Sequence, residues 1–111
     1  MIFFFGPLWS GKRAAAKALL GWDDAALARR CVWDVQELAA QRDDLEALAE
    51  ELSHYDAVIA TEVGGGVVPA DAGERRAREA AGRLNCLLAA RADAVIHVYC
   101  GIPKLIKGEL P

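Results

Sequence analysis

Apolar positions along the chain follow two rhythms. Ile2–Phe5, Asp56–Thr61 (DAVIAT) and Asp93–Tyr99 (DAVIHVY) are almost continuously apolar beyond their leading residues. Short runs of this kind, bounded by turn signals, read as strands buried on both faces. The first ends sharply at Gly6-Pro7. Between them the rhythm becomes helical. Gly11–Leu20 is alanine-rich, strongly helix-forming and closed by Gly21. Asp44–Leu52 places Leu45, Leu48, Ala49 and Leu52 on one face, with Asp43 and Glu46 spaced as a capping box at its start. Asp71–Ala92 reads as a long helix with Ala77, Ala81, Leu84 and Leu88 as its core stripe and arginines outside. Asp23 and Asp24 can cap a helical turn over Ala25–Arg29. Arg30–Trp33 reads either as another buried strand ending at Asp34 or as part of one helix over Ala25–Ala40. Gly101-Ile102-Pro103 turns the chain into Lys104–Lys107, a short edge strand. Strands alternating with helices predict parallel pairing with right-handed crossovers, hence a three-layer α/β fold with a mostly parallel sheet.

Composition narrows the possibilities. The chain has 111 residues, 54% hydrophobic and 26% charged, which predicts one packed domain over residues 1–111. Met1–Gly11, the longest uncharged stretch, falls well short of the ~20 apolar residues of a membrane span and lacks the pattern of a signal peptide. A net charge of −3 gives no basic field for nucleic acid, so any bound anion must be caught by a local device. Cys31, Cys86 and Cys100 have no C-x-x-C spacing and read as reduced, mostly buried thiols of a cytoplasmic protein.

One such device stands between the first strand and the first helix. Gly6-Pro7-Leu8-Trp9-Ser10-Gly11-Lys12-Arg13 fits G-x-x-x-x-G-K, with Arg13 where serine or threonine is expected. Glycines let successive N–H groups curl inward, the helix start adds positive potential, and Lys12 supplies a point charge for β and γ phosphates. The missing hydroxyl is the one that ligates the Mg²⁺ bridging those phosphates. Arg13 cannot ligate a metal, though it can supply charge. The spacing therefore supports nucleotide binding more directly than nucleotide chemistry. Trp9 can stack on a base, a corrin or a neighbouring subunit, or pack on its own helix.

The second loop, Thr61-Glu62-Val63-Gly64-Gly65-Gly66-Val67-Val68-Pro69, follows the DAVIAT strand, where ligands of open α/β sheets bind. This loop, with Arg75, Arg78, Gly82-Arg83-Leu84-Asn85, Cys100-Gly101-Ile102-Pro103 and Lys107, resembles the adenosylcobinamide kinase / adenosylcobinamide-phosphate guanylyltransferase family. The likeness covers Asp56–Lys107 closely, plus Met1–Leu20. It implies a RecA-like P-loop domain in cobalamin assembly. Such enzymes phosphorylate the aminopropanol hydroxyl of adenosylcobinamide with ATP or GTP, then attach GMP, and are typically homo-oligomers, often trimers. Carried over to this chain, the resemblance implies Lys12, Glu62 and Asp34 as catalytic residues, with Asp34 and Glu62 holding Mg²⁺. Gly6–Arg13 would bind the nucleotide, and Gly64, Gly66, Arg75, Arg78, Arg83 and Asn85 the substrate or its phosphates. Arg75 and Arg78 read equally as a solvated basic face beside Glu74 and Glu79, and Asp34 as a solvated helix residue if Ala25–Ala40 is helical.

The chain departs from the family in three ways. It is shorter between the first helix and the later strands, where the family carries the histidine that becomes guanylylated. Thr61 and Cys86 replace an asparagine and a glutamine. Of its histidines, His54 reads as a helix-end residue and His97 as a structural one within a strand. The reading is therefore the kinase half-reaction, with a catalytically degenerate nucleotide- or corrinoid-binding module as the alternative.

Overall fold

The computed structural model describes residues 1–62 and 71–110. Among the described residues five strands form one sheet: β1 (Ile2–Gly6), β2 (Cys31–Val32), β3 (Ala57–Thr61), β4 (Ala94–Tyr99) and β5 (Ile102–Gly108), in the order β2-β3-β1-β4-β5. The first four run parallel, and β5 joins β4 antiparallel. The predicted α/β sheet is present, with its edge strand longer than Lys104–Lys107 because Ile102 and Pro103 already pair with Tyr99 and Val98.

Helices cover both faces, which is why the central strands are apolar on both sides. Helices α1 (Lys12–Leu20) and α2 (Asp24–Arg30) lie over Phe4, Ile59, Ile96 and Val98. On the other face, α3 (Gln36–Ala39), α4 (Leu45–Leu52) and α5 (Ala72–Arg91) cover Phe3, Val58 and Val95 with Leu48, Leu84 and Leu88. Alternating side chains of one strand thus enter two separate cores. β5 is exposed along its whole length. Lys107 nevertheless ties it down, its ammonium donating to the carbonyls of Ala89 (2.9 Å) and Ala90 (3.0 Å) at the negative end of α5.

The structure decides the open region after α1. Asp23 caps α2, its carboxylate accepting from the Ala26 N–H at 2.8 Å, and the chain then becomes extended at Cys31. One helix over Ala25–Ala40 is excluded, and the strand reading holds in shortened form, because only Cys31 and Val32 pair with β3. Asp44, not Asp43, caps α4, accepting from the Ala47 N–H at 3.0 Å. The cysteine expectation fails at two positions: Cys31 is buried, whereas Cys86 and Cys100 are exposed, on the outer side of α5 and in the β4–β5 turn.

Candidate functional site

Between β1 and α1 the chain makes one tight turn, and its conformation follows from two glycines. A β-carbon on Gly6 would lie 2.1 Å from the Val98 carbonyl oxygen and 2.9 Å from Ser10 Oγ, so only glycine lets β1 end against β4 here. Gly11 takes φ 82°, a left-handed value that costs glycine little, and its carbonyl accepts from the Ala15 N–H at 3.0 Å to start α1. The β4–β5 turn buttresses the outside, with the Gly101 N–H donating to the Ser10 carbonyl at 2.8 Å. Lys12 opens the helix and is 8% exposed. Its ammonium bends back over the turn, donating to the Pro7 carbonyl at 2.8 Å and, more weakly, to Ser10 Oγ at 3.4 Å. Desolvation holds this ammonium below the ordinary lysine range, while the carboxylates of Asp34 and Glu62 pull the other way. A buried cation resting on a carbonyl at a helix N-terminus is poised to exchange that neutral partner for an anion.

Beside the turn opens a cleft of about 530 Å³, lined by Leu8–Ala14, Trp33, Asp34, Ile59 and Thr61. Sequence reasoning missed Trp33 and Gln36 here. The Arg13 guanidinium lies 5.5 Å from the Trp33 ring centre, a cation–π contact, so Arg13 faces β2. The Gln36 side-chain oxygen accepts from the Thr61 N–H at 2.9 Å, fixing the end of β3 where β2 has already stopped pairing. A two-residue strand leaves that N–H without a ladder partner, which is the signal that could have pointed to Gln36. Trp9 is 92% exposed, so it does not pack on its own helix.

Backbone strain gathers at this edge. The non-glycine residues with positive φ are Trp9 (63°), Asp34 (57°) and Cys100 (53°), among the described residues. Each lies in a connection at the carboxyl end of the sheet: the β1–α1 turn, the exit from β2, and the β4–β5 turn. Such conformations cost on the order of 1 kcal/mol or more each and concentrate at functional sites.

The structure brings Leu8–Arg13 and Asp34 to one cleft, with Gly6 and Pro7 earlier in the same turn and outside the cleft wall, and places the other expected residues elsewhere. Glu62 extends β3, its N–H donating to the Gly6 carbonyl at 2.8 Å. Its carboxylate is not in the cleft wall; Oε1 lies 2.9 Å from Nε2 of His97. That contact has ion-pair length, but the ring N–H is not aligned as a hydrogen bond, and among the described residues the buried His97 Nε2 has no hydrogen-bond partner. Arg75, Arg78, Arg83 and Asn85 lie on α5, across the sheet from α1. Arg75 and Arg83 are exposed, while Asn85 is half-buried and its Oδ1 has no hydrogen-bond partner among the described residues. Gly64 and Gly66 lie outside the described residues. His54 is exposed at the end of α4, 3.7 Å from Glu50. Among the described residues no three histidine, cysteine or acidic side chains converge as a metal cluster. Magnesium, however, needs only one or two protein oxygens beside substrate phosphates. Asp34 and Thr61, both lining the cleft, are of the oxygen-bearing residue types that fit that demand.

A mostly parallel sheet, a glycine-bounded turn with a buried lysine, and acidic side chains acting on it together describe a P-loop fold. The family model for cobinamide kinase / cobinamide phosphate guanyltransferase matches residues 18–106. The chain belongs to that family. Its members are nucleotide-dependent transferases of cobalamin biosynthesis. The matched stretch begins within α1, so it does not cover the Gly6–Lys12 turn. No individual curated protein matches the chain. No helix among the described residues is long and apolar enough to cross a membrane.

Proposed function

We propose that this chain transfers the γ-phosphoryl group of ATP or GTP to the aminopropanol hydroxyl of adenosylcobinamide, the kinase half-reaction of its family. The observation that carries the reading is Lys12, a desolvated ammonium at the start of α1, held over a glycine-bounded turn at the carboxyl end of β1. The triphosphate lies along Gly6–Lys12, where main-chain N–H groups and Lys12 offset its charge. Asp34 and Thr61 would hold the accompanying magnesium, which supplies charge neutralisation to the β and γ phosphates. Glu62 accepts the proton of the attacking hydroxyl as the new O–P bond forms and the bond to the departing nucleoside diphosphate breaks. Positioning and charge supply most of the catalysis such a reaction requires.

A coupled assay with adenosylcobinamide and either nucleotide, in magnesium, tests this. Phosphorylated corrinoid is expected, and its absence with both nucleotides defeats the reading. One observation favours a second reading, a nucleotide-binding module without turnover: Arg13 replaces the hydroxyl and is engaged with Trp33. The Arg13→Ser variant separates the two. A gain in turnover identifies a kinase slowed by Arg13. Tight triphosphate binding in the native chain, indifferent to magnesium and without product, identifies the module.

A further inference from the structure

We propose that His97 is a positioning residue that fixes the Glu62 carboxylate for the acceptor hydroxyl; this rests on the phosphoryl-transfer reading above. Nothing in the apolar run AVIHVY calls for an imidazole, since the neighbouring positions Val95, Ile96 and Val98 are buried aliphatics. A polar ring at such a position costs free energy unless it meets a partner. The partner here comes from another strand. Glu62, stitched to the end of β1 through the Gly6 carbonyl, reaches across β1 until Oε1 stands 2.9 Å from His97 Nε2.

The imidazole itself has little freedom. His97 pairs in register with Phe5, and the two rings stack at 4.6 Å with 26° between their planes. Phe5 stacks in turn on Phe3 at 5.7 Å, and Tyr99 closes the outer side at 6.2 Å. A row of rings therefore holds Nε2 in place, and the glutamate side chain, with three rotatable bonds, takes its direction from it. The Glu62 side chain stays 40% exposed, at the carboxyl edge of the sheet. The contact has bonding length but imperfect alignment, as catalytic hydrogen bonds often do before substrate tightens them.

Steady-state kinetics on the full chain tests this with native protein, His97→Ala, His97→Gln, His97→Leu, Glu62→Gln and the His97→Ala/Glu62→Gln double variant. His97→Ala is expected to lower kcat between about 10- and 100-fold, the range in which misplacing a reacting group acts, with KM for the nucleotide within about twofold. His97→Gln retains an N–H donor and restores most of the loss. The double variant is no slower than Glu62→Gln alone, because the imidazole acts only through that carboxylate. His97→Leu suits the apolar strand and controls for folding. A folded His97→Leu or His97→Ala protein with native kcat overturns the proposal while leaving the kinase reading intact, as do losses that multiply in the double variant. A native protein that forms no phosphorylated corrinoid overturns the kinase reading itself, and the proposal with it.

Discussion

Lys12 carries opposing demands. Burial disfavours its charge, so its pKa is lower in the fold than the ordinary lysine value the unfolded chain retains. The unfolded chain then binds more protons between those two values, and stability rises as pH climbs through that window. At neutral pH the charged form of Lys12 therefore folds less favourably than its neutral form would. Lys12→Met is expected to raise the thermal midpoint while weakening triphosphate binding about 10- to 100-fold, the loss of one charged hydrogen bond at ~1.5–3 kcal/mol. Scanning calorimetry and titration calorimetry check the two effects separately. At Gly6, alanine has no room against Val98 and Ser10. Gly6→Ala is expected to destabilise by roughly 1–3 kcal/mol, as overpacking does, measured by urea unfolding. Burial pushes the Cys31 thiol up to about 12, so it resists alkylation at pH 8, whereas Cys86 and Cys100 are exposed. Mass spectrometry after native labelling should find modification at Cys86 and Cys100, with Cys31 reacting only in denaturant.

At the scale of elements, α4 and α5 together close the second core. Leu84 and Leu88 are fully buried against the sheet and α4. Leu88→Ala is expected to cost about 2–5 kcal/mol, the range for emptying a packed leucine site, read from the denaturant midpoint. Asp44→Ala removes the cap of α4 and should cost about 1 kcal/mol in the same measurement. Long periodic segments were legible in the sequence because burial of one face repeats every turn; α5 and the strands β1, β3 and β4 appear where their patterns placed them. The β2 region was not legible. Cys31-Val32 is too short to show a period, and its extended form is set by pairing with β3, a contact remote in sequence. The capping residue of α4 slipped by one for a related reason: Asp43 and Asp44 are chemically equivalent, and only the entry angle of the chain chooses between them.

Over the whole molecule, charge acts mainly at the surface. Asp24 is held below the usual carboxylate range by its hydrogen bond and ion pair with Lys17, and Glu51 likewise by Arg42. Both pKa values lie lower in the fold than in the unfolded chain, so their contribution is present above the ordinary carboxylate values. It fades as pH falls through the folded ones. Urea midpoints from pH 7 to pH 3 should therefore drop on the acid side, and drop less steeply in a Lys17→Ala/Arg42→Ala variant. The strained residues Trp9, Asp34 and Cys100 share one edge of the sheet, and that edge also carries the Lys12 turn, the cleft and the Glu62–His97 contact. Sequence alone determined the α/β class, the glycine-lysine turn and the family, because each resides in local periodicity or in residues close along the chain. Only the tertiary structure decided that Glu62 turns to His97, that Arg13 faces Trp33, and that Gln36 holds Thr61. Those directions arise from strand order and register, which bring together side chains up to 35 residues apart and which no local pattern encodes.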